Sequence, residues 1–286
     1  MVERPEPVSS ERLAVDAYQS TASDYLIYLF HVATYDFALP FARGKRVLDF
    51  GCGTGYGTAR LAPECAGIVG VDISEAAIEQ ATAGHGDHFR RIEPVEQSPL
   101  PFADGAFDVV LSFQVIEHVP DATAYLSEIV RVLTDDGVFV CATPDRETRL
   151  FRGQRPWNRY HLREYAPKEL EALILGHFAA VEVFGMTAAP ELIGGELARC
   201  HKLRIATFPW TFPGAPERWR QLGLRRLQTL RERKRSDRAG EPERFPFDES
   251  VVRIEPDAAP SANIVTVARK PRHRTHRLDD TRGTSA

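Results

Sequence analysis

Val47-Leu-Asp-Phe-Gly-Cys-Gly-Thr-Gly55 is the stretch on which the fold turns. A short, mostly apolar run enters three alternating glycines, and a helix-forming segment from Thr58 to Leu61 follows. Glycine at this spacing lets a strand turn tightly into a helix and lets a ligand lie against bare backbone. Downstream, GIVGVD (67–72) repeats the strand pattern, and SEAAIEQATA, with Ser74 as a plausible N-cap, repeats the helix. Together they make a βαβα unit.

The alternation continues outward. Strands are expected near Phe89–Ile92, in FDVVLSF (107–113) and in GVFVCAT (137–143), with the helix DATAYLSEIVRVL capped by Asp121 between the last two. A helix at Pro167–Leu175 leads into AAVEVFGM, and SANIVTVAR (261–269) reads as a final strand. Short apolar strands alternating with amphipathic helices are what a parallel sheet covered on both faces requires. The expected fold is α/β: a Rossmann-like, seven-stranded, mostly parallel sheet with helices on both faces and a helical insertion before the last strand. The expected organisation is a lead with cap helices over 1–40, a core over 41–187, the helical insertion over 188–260, the final core strand at 261–270 and a disordered tail at 271–286.

Composition agrees with one such domain plus additions. The 286 residues are 43% hydrophobic and 27% charged, which excludes a disordered or fibrous chain. Cys52, Cys65, Cys141 and Cys200 are scattered, so neither a disulfide framework nor a zinc cluster is indicated. The charged, proline-bearing start MVERPEPVSSER lacks the apolar run of a secretory signal, and the apolar stretch Tyr25 to Ala42 is interrupted by His31, Asp36 and Pro40. A cytoplasmic protein without a membrane span is expected.

The glycine loop reads Gly51-x-Gly53-x-Gly55, and Tyr56 stands where the dinucleotide fingerprint needs a small residue. Asp49 at the tip of the first strand would repel a pyrophosphate and attract an ammonium. Asp72, at the end of the second strand, is placed to accept both hydroxyls of a ribose. A cationic sulfonium nucleoside suits this pair of acids.

VLDFGCGTGYG followed by VGVDIS resembles the class I S-adenosylmethionine-dependent methyltransferases, of the methyltransferase type 11 and ubiquinone-biosynthesis O-methyltransferase kind. The runs at 104–119 and 137–147 look like the same family, so the resemblance covers residues 41–187 and returns at 261–270. It implies S-adenosyl-L-methionine as cofactor. In that family a turn after the third strand contacts adenine, and here the turn is Val95-Glu-Gln-Ser-Pro-Leu-Pro-Phe102, with Glu96 in the usual Asp position. The expected cofactor-binding set is Asp49, Gly51, Cys52, Gly53, Gly55, Asp72, Ile73, Glu96, Gln97 and Phe113.

Methyl transfer from a sulfonium is an in-line displacement, and a hydroxyl acceptor must lose its proton as it attacks. His118, just past the fourth strand, and His161, past the fifth, fall on the sheet edge where ligands bind and are the expected catalytic pair. The VIEHV element resembles that of ubiquinone-biosynthesis and plant small-RNA 2′-O-methyltransferases, where ExxEH holds a divalent metal. Here Gln114 replaces the first acid, leaving Glu117, His118 and His161 as a weaker set for an ion such as Mg²⁺. The stretch 158–184 resembles the acceptor half of methyltransferases of glycan and natural-product pathways, so O-methylation of a sugar, glycan or natural-product hydroxyl is expected.

Residues 216–238 mix Trp219, Leu222, Leu224, Leu227 and Leu230 with nine Arg and Lys side chains. This cationic amphipathic helix can cap the domain, or meet an acidic acceptor or an anionic membrane surface peripherally. A nucleic-acid acceptor is disfavoured, since Ser112-Phe-Gln-Val115 lacks the [DN]PP[YF] motif of base-amine methyltransferases. An RNA methyltransferase and a non-catalytic cofactor-binding module are the alternatives left open.

Overall fold

The computed structural model describes residues 21–95, 97–236 and 245–273, with the side chains of 228 and 230–236 outside that description. The lead before residue 21, Glu96 and the tail from residue 274, three expectations among those above, fall outside the described residues. Eight strands build one sheet: β1 (Arg46–Phe50), β2 (Gly67–Asp72), β3 (Phe89–Arg91), β4 (Phe107–Phe113), β5 (Leu133–Pro144), β6 (Phe178–Ala188), β7 (Val252–Glu255) and β8 (Asn263–Pro271). Their order is β3-β2-β1-β4-β5-β8-β6-β7. Strands β1 to β5 are mutually parallel, β8 runs antiparallel between β5 and β6, and β7 pairs antiparallel with β6 at the edge.

The eighth strand corrects the expected seven. Val252-Arg-Ile-Glu255 lies within the segment read as a helical insertion and pairs with Gly185–Ala188. Its alternate residues Val252 and Ile254 pack against the core, but four residues give too short a period-2 signal to stand out from their polar surroundings.

Eight α-helices accompany the strands among the described residues: α1 (Ala22–Ala42), α2 (Tyr56–Leu61), α3 (Glu75–His85), α4 (Ala122–Val132), α5 (Arg146–Arg149), α6 (Pro167–Leu175), α7 (Pro190–Thr211) and α8 (Glu217–Ser236). Local chemistry sets where they begin. Thr21 accepts from the Asp24 amide at 3.1 Å, and Asp121 accepts from those of Thr123 and Ala124 at 2.9 and 3.0 Å. Such caps satisfy amides that the first helical turn leaves open, each worth about 1 kcal/mol.

Alternate residues of the central strands feed two cores. Leu48, Phe50 and Val110 join Leu126, Ile129 and Leu170, whereas Val47, Val109 and Leu111 join Leu26, Phe30 and Tyr35 of α1. Each fully buried aliphatic side chain adds roughly 1.5–3 kcal/mol relative to exposure, so both faces need a helical cover. The chain leaves β1 toward β2 on one side and returns as β4 on the other. That reversal opens a crevice beyond the carboxyl ends of β1 and β4.

Candidate cofactor crevice and acceptor site

At the end of β1 the glycine loop adopts left-handed backbone at Gly51 (φ 89°), Gly53 (φ 55°) and Gly55 (φ 81°). A Cβ on Gly51 would overlap the Val115 side chain, whereas one on Gly53 would meet nothing within 4 Å. Gly53 is therefore the open face of the loop. Its amides are engaged internally: those of Gly51 and Cys52 donate to the Val71 carbonyl, that of Gly53 to Asp72 Oδ2 at 3.1 Å, and that of Gly55 to the Cys52 carbonyl. These four donors are spent within the loop and are not offered to a phosphate.

Asp72 also accepts from the Ser74 amide at 2.8 Å, which fixes its carboxylate beside the loop. Asp49 is buried. Its Oδ2 accepts from Thr58 Oγ1 at 2.6 Å and Tyr35 Oη at 3.1 Å, while Oδ1 has no hydrogen-bond partner. Burial pushes its carboxyl up to about 6, against the lowering effect of those two hydroxyls. A carboxylate held at such a cost is set up to receive a cation.

Past β4, Gln114 takes a left-handed conformation (φ 58°) and turns the chain into the short 3₁₀ segment Ile116–His118. Val115 lies against Gly51, and His118 follows three residues later, so the second half of the site begins where the glycine loop ends. The loop at 160–163 folds back onto this segment, the amides of Leu162 and Arg163 donating to the Glu117 carbonyl. His118 and His161 then meet edge to face with ring centroids 4.8 Å apart.

Hydrogen bonding sets both tautomers. His118 Nδ1 lies 3.1 Å from the Tyr160 carbonyl, which can only accept, so Nδ1 carries a proton and the neutral tautomer has its lone pair on Nε2. His161 Nδ1 lies 2.7 Å from Glu164 Oε1. Burial alone would raise Glu164, but Arg149, whose Nε donates to Oε2 at 3.0 Å, and His161 together hold it down at about 2. Glu164 is thus an acceptor, and His161 also presents Nε2. Burial lowers His161 to about 4, so its imidazole is neutral at physiological pH.

Glu117 completes the cluster. It is fully buried, Thr143 Oγ1 donates to its Oε2 at 2.9 Å, and Oε1 has no partner. Burial pushes its carboxyl up to about 8. One ligand-capable atom from each of Glu117, His118 and His161 lies within 4.8 Å of the others.

The remaining sequence candidates divide. Cys52 packs inward with Ala81 and Phe89 and offers the crevice only backbone. Phe113 is buried edge-on against Tyr35, 4.9 Å between centroids, while Ile73 and Gln97 stand exposed near the end of the second and third strands. Gln114 directs its amide to Asn263 Oδ1 at 3.4 Å and stands outside the cluster formed by Glu117 and the two histidines. Sequence reasoning missed Tyr35, Thr58, Thr143, Arg149 and Glu164. Only Glu164 left a trace, three residues from His161, and a spacing within an irregular loop implies no contact.

Comparison with known proteins now bears on the site. A family model described as a methyltransferase domain matches residues 48–141, the stretch holding the glycine loop, Asp72 and His118. A "probable S-adenosylmethionine-dependent methyltransferase" of Mycobacterium tuberculosis is 31% identical over 190 residues, covering 63% of this chain and 68% of the relative. The chain belongs to the S-adenosylmethionine-dependent methyltransferases. A similarly described protein of Mycolicibacterium smegmatis is 34% identical over 175 residues, 58% of this chain and 67% of its own. A ubiquinone biosynthesis O-methyltransferase of Maricaulis maris is 35% identical over 117 residues, 38% of this chain and 44% of the relative. A solved structure of a possible histamine N-methyltransferase from Thermotoga maritima shares the methyltransferase fold, with a TM-score of 0.53 at 19% identity over 86% of this chain and 92% of that one.

The residues present fit S-adenosylmethionine. The orphaned Asp49 Oδ1 matches an ammonium, the open face at Gly53 admits a nucleoside, and the spent loop amides suit a cofactor without phosphate. No helix among the described residues is long and apolar enough to cross a membrane.

Proposed function

We propose that this methyltransferase methylates a hydroxyl oxygen of a sugar, glycan or natural-product small molecule, with His118 and His161 serving the acceptor. The observation that carries the reading is the convergence of one ligand-capable atom each from Glu117, His118 and His161, within 4.8 Å of one another just past the glycine loop, with Glu117 Oε1 left without a partner. An alcohol is a weak nucleophile until its proton is taken, and a half-buried imidazole at the site is the side chain suited to take it. His118, the more exposed of the two, accepts the acceptor's proton on Nε2 while the Tyr160 carbonyl stabilises the imidazolium through Nδ1–H.

His161, clamped by Glu164, orients the acceptor oxygen toward the cofactor. S-adenosylmethionine supplies an electrophilic methyl whose bond electrons return to sulfur on transfer. The chain's own contribution is alignment, which accounts for up to ~7–11 kcal/mol in well-oriented reactions.

The same three residues fit a divalent cation. Glu117, His118 and His161 would hold it, and a cation there would lower the pKa of a bound hydroxyl. The unpartnered Oε1 and the two imidazoles are the donor chemistry such an ion requires, although imidazole favours later transition metals over Mg²⁺.

Turnover on matched alcohols, phenols and amines, each with and without chelator, tests the reading. Methylation of a hydroxyl substrate that is lost in His118→Ala supports it. Preference for an amine, or full activity in that variant, would overturn it.

A further inference from the structure

Seven large apolar side chains stand exposed among the described residues, and six of them lie between positions 151 and 222. Four belong to the hairpin of α7 and α8: Ile205 and Phe208, one turn apart on α7, and Trp219 and Leu222, one turn apart on α8, each between 43% and 57% exposed. At 100° per residue, Arg218, Leu222, Arg225, Arg226 and Trp219 share one outward arc of about 120° on α8. Leu224 and Gly223 face inward, Gly223 against Trp210 of α7. The helix therefore caps the domain with its inner face, where Leu224 is buried, and leaves Trp219 and Leu222 among arginines on its outer one.

We infer that the outward arc of α8 docks on an anionic phospholipid surface. Arg218, Arg225 and Arg226 make no ion pair among the described residues, so the arc carries positive charge interleaved with Trp219 and Leu222. Guanidinium groups match lipid phosphates, an indole sits at the headgroup level, and leucine reaches the acyl boundary. Nucleic acid would use the arginines and the indole but has no use for Leu222, which decides between the two polyanions.

The inner face of the same helix ties this surface to the acceptor site. Buried Arg220 donates to the carbonyls of Pro156, Asn158 and His161, so α8 holds the loop that carries His161. A docked α8 therefore leaves the His161 loop one helix away from the lipid surface, tied to it through Arg220.

Co-sedimentation of the full chain with vesicles tests the inference, using phosphatidylcholine alone and phosphatidylcholine with phosphatidylglycerol. Binding is expected only to the anionic vesicles. It should weaken at least about tenfold in R218Q/R225Q/R226Q and also weaken in W219A/L222A, with cofactor binding retained in both variants. Absence of binding to anionic vesicles, or equal binding to both compositions, would overturn it. So would a W219A/L222A variant that binds anionic vesicles like the parent, since that marks a general polyanion site; parallel retention of parent and variant on RNA would identify its ligand.

Discussion

Replacing Asp49 with asparagine separates cofactor recognition from folding. The side chain keeps its shape, and its remaining oxygen can still accept from Thr58 and Tyr35, now 2.6 and 3.1 Å away. Two energies change. In the free protein at neutral pH the ionised carboxylate is held against burial, and a rise from 3.8 to about 6 corresponds to a penalty of about 3 kcal/mol. Asparagine removes that penalty but leaves an amide donor where Oδ1 had no partner, at a cost of about 1–3 kcal/mol. The two nearly offset, so the melting temperature without ligand should move by only a few degrees.

The bound state has no such offset. The cofactor's ammonium loses a charged partner worth about 1.5–3 kcal/mol, or about 10–150-fold in Kd. Calorimetric titration with S-adenosylmethionine and with its demethylated product, which carries the same ammonium, measures this directly. Thermal unfolding of the free variant gives the other half. Unchanged affinity for both ligands refutes the ammonium assignment, and a collapse in unliganded stability refutes the claim that the carboxylate is held at a cost.

The same carboxyl gives a pH signature. Its folded pKa lies above the unfolded value, so the native state keeps a proton that the unfolded chain has released between about 4 and 6, and unliganded stability falls as pH rises through that window. With Asp49 as the ammonium's partner, cofactor binding needs the ionised form, so Kd should rise by up to about tenfold per pH unit below 6, with proton release on binding; Asp49→Asn should flatten this component. Glycine substitutions should part company along the loop. Gly57→Ala would drive a methyl into the buried Tyr35 ring and lower stability by about 1–3 kcal/mol, whereas Gly53→Ala meets open space and adds about 1–2 kcal/mol of left-handed strain while blocking the ligand face. Denaturant melts paired with cofactor titration would distinguish them, and equal cofactor loss in both would contradict the open-face assignment. Glu164→Gln should cost about 3 kcal/mol of stability by stranding Arg149 and lower kcat by about 10–100-fold, with cofactor affinity nearly intact. An unchanged kcat would remove Glu164 as the group that positions His161.

What one dimension could reveal was the part built from contiguous residues. The strand–glycine–helix alternation from Val47 to Ala81, the Ser74 and Asp121 caps, and the acids Asp49 and Asp72 were legible because period, turn chemistry and charge are local properties. The edge strand Val252–Glu255 was not, since a four-residue strand depends on a partner, β6, that lies far back along the chain. The contacts that tune the site were equally invisible. Tyr35 reaches Asp49 because α1 packs across the sheet, and Arg149, Glu164 and His161 meet because an irregular loop closes onto the Glu117 carbonyl. Sequence alone determined the family and nominated a cofactor crevice and two histidines. Tertiary structure decided which nitrogen each histidine exposes and how strongly each acid is desolvated, because tautomer and pKa follow from neighbours that only folding brings within hydrogen-bond reach.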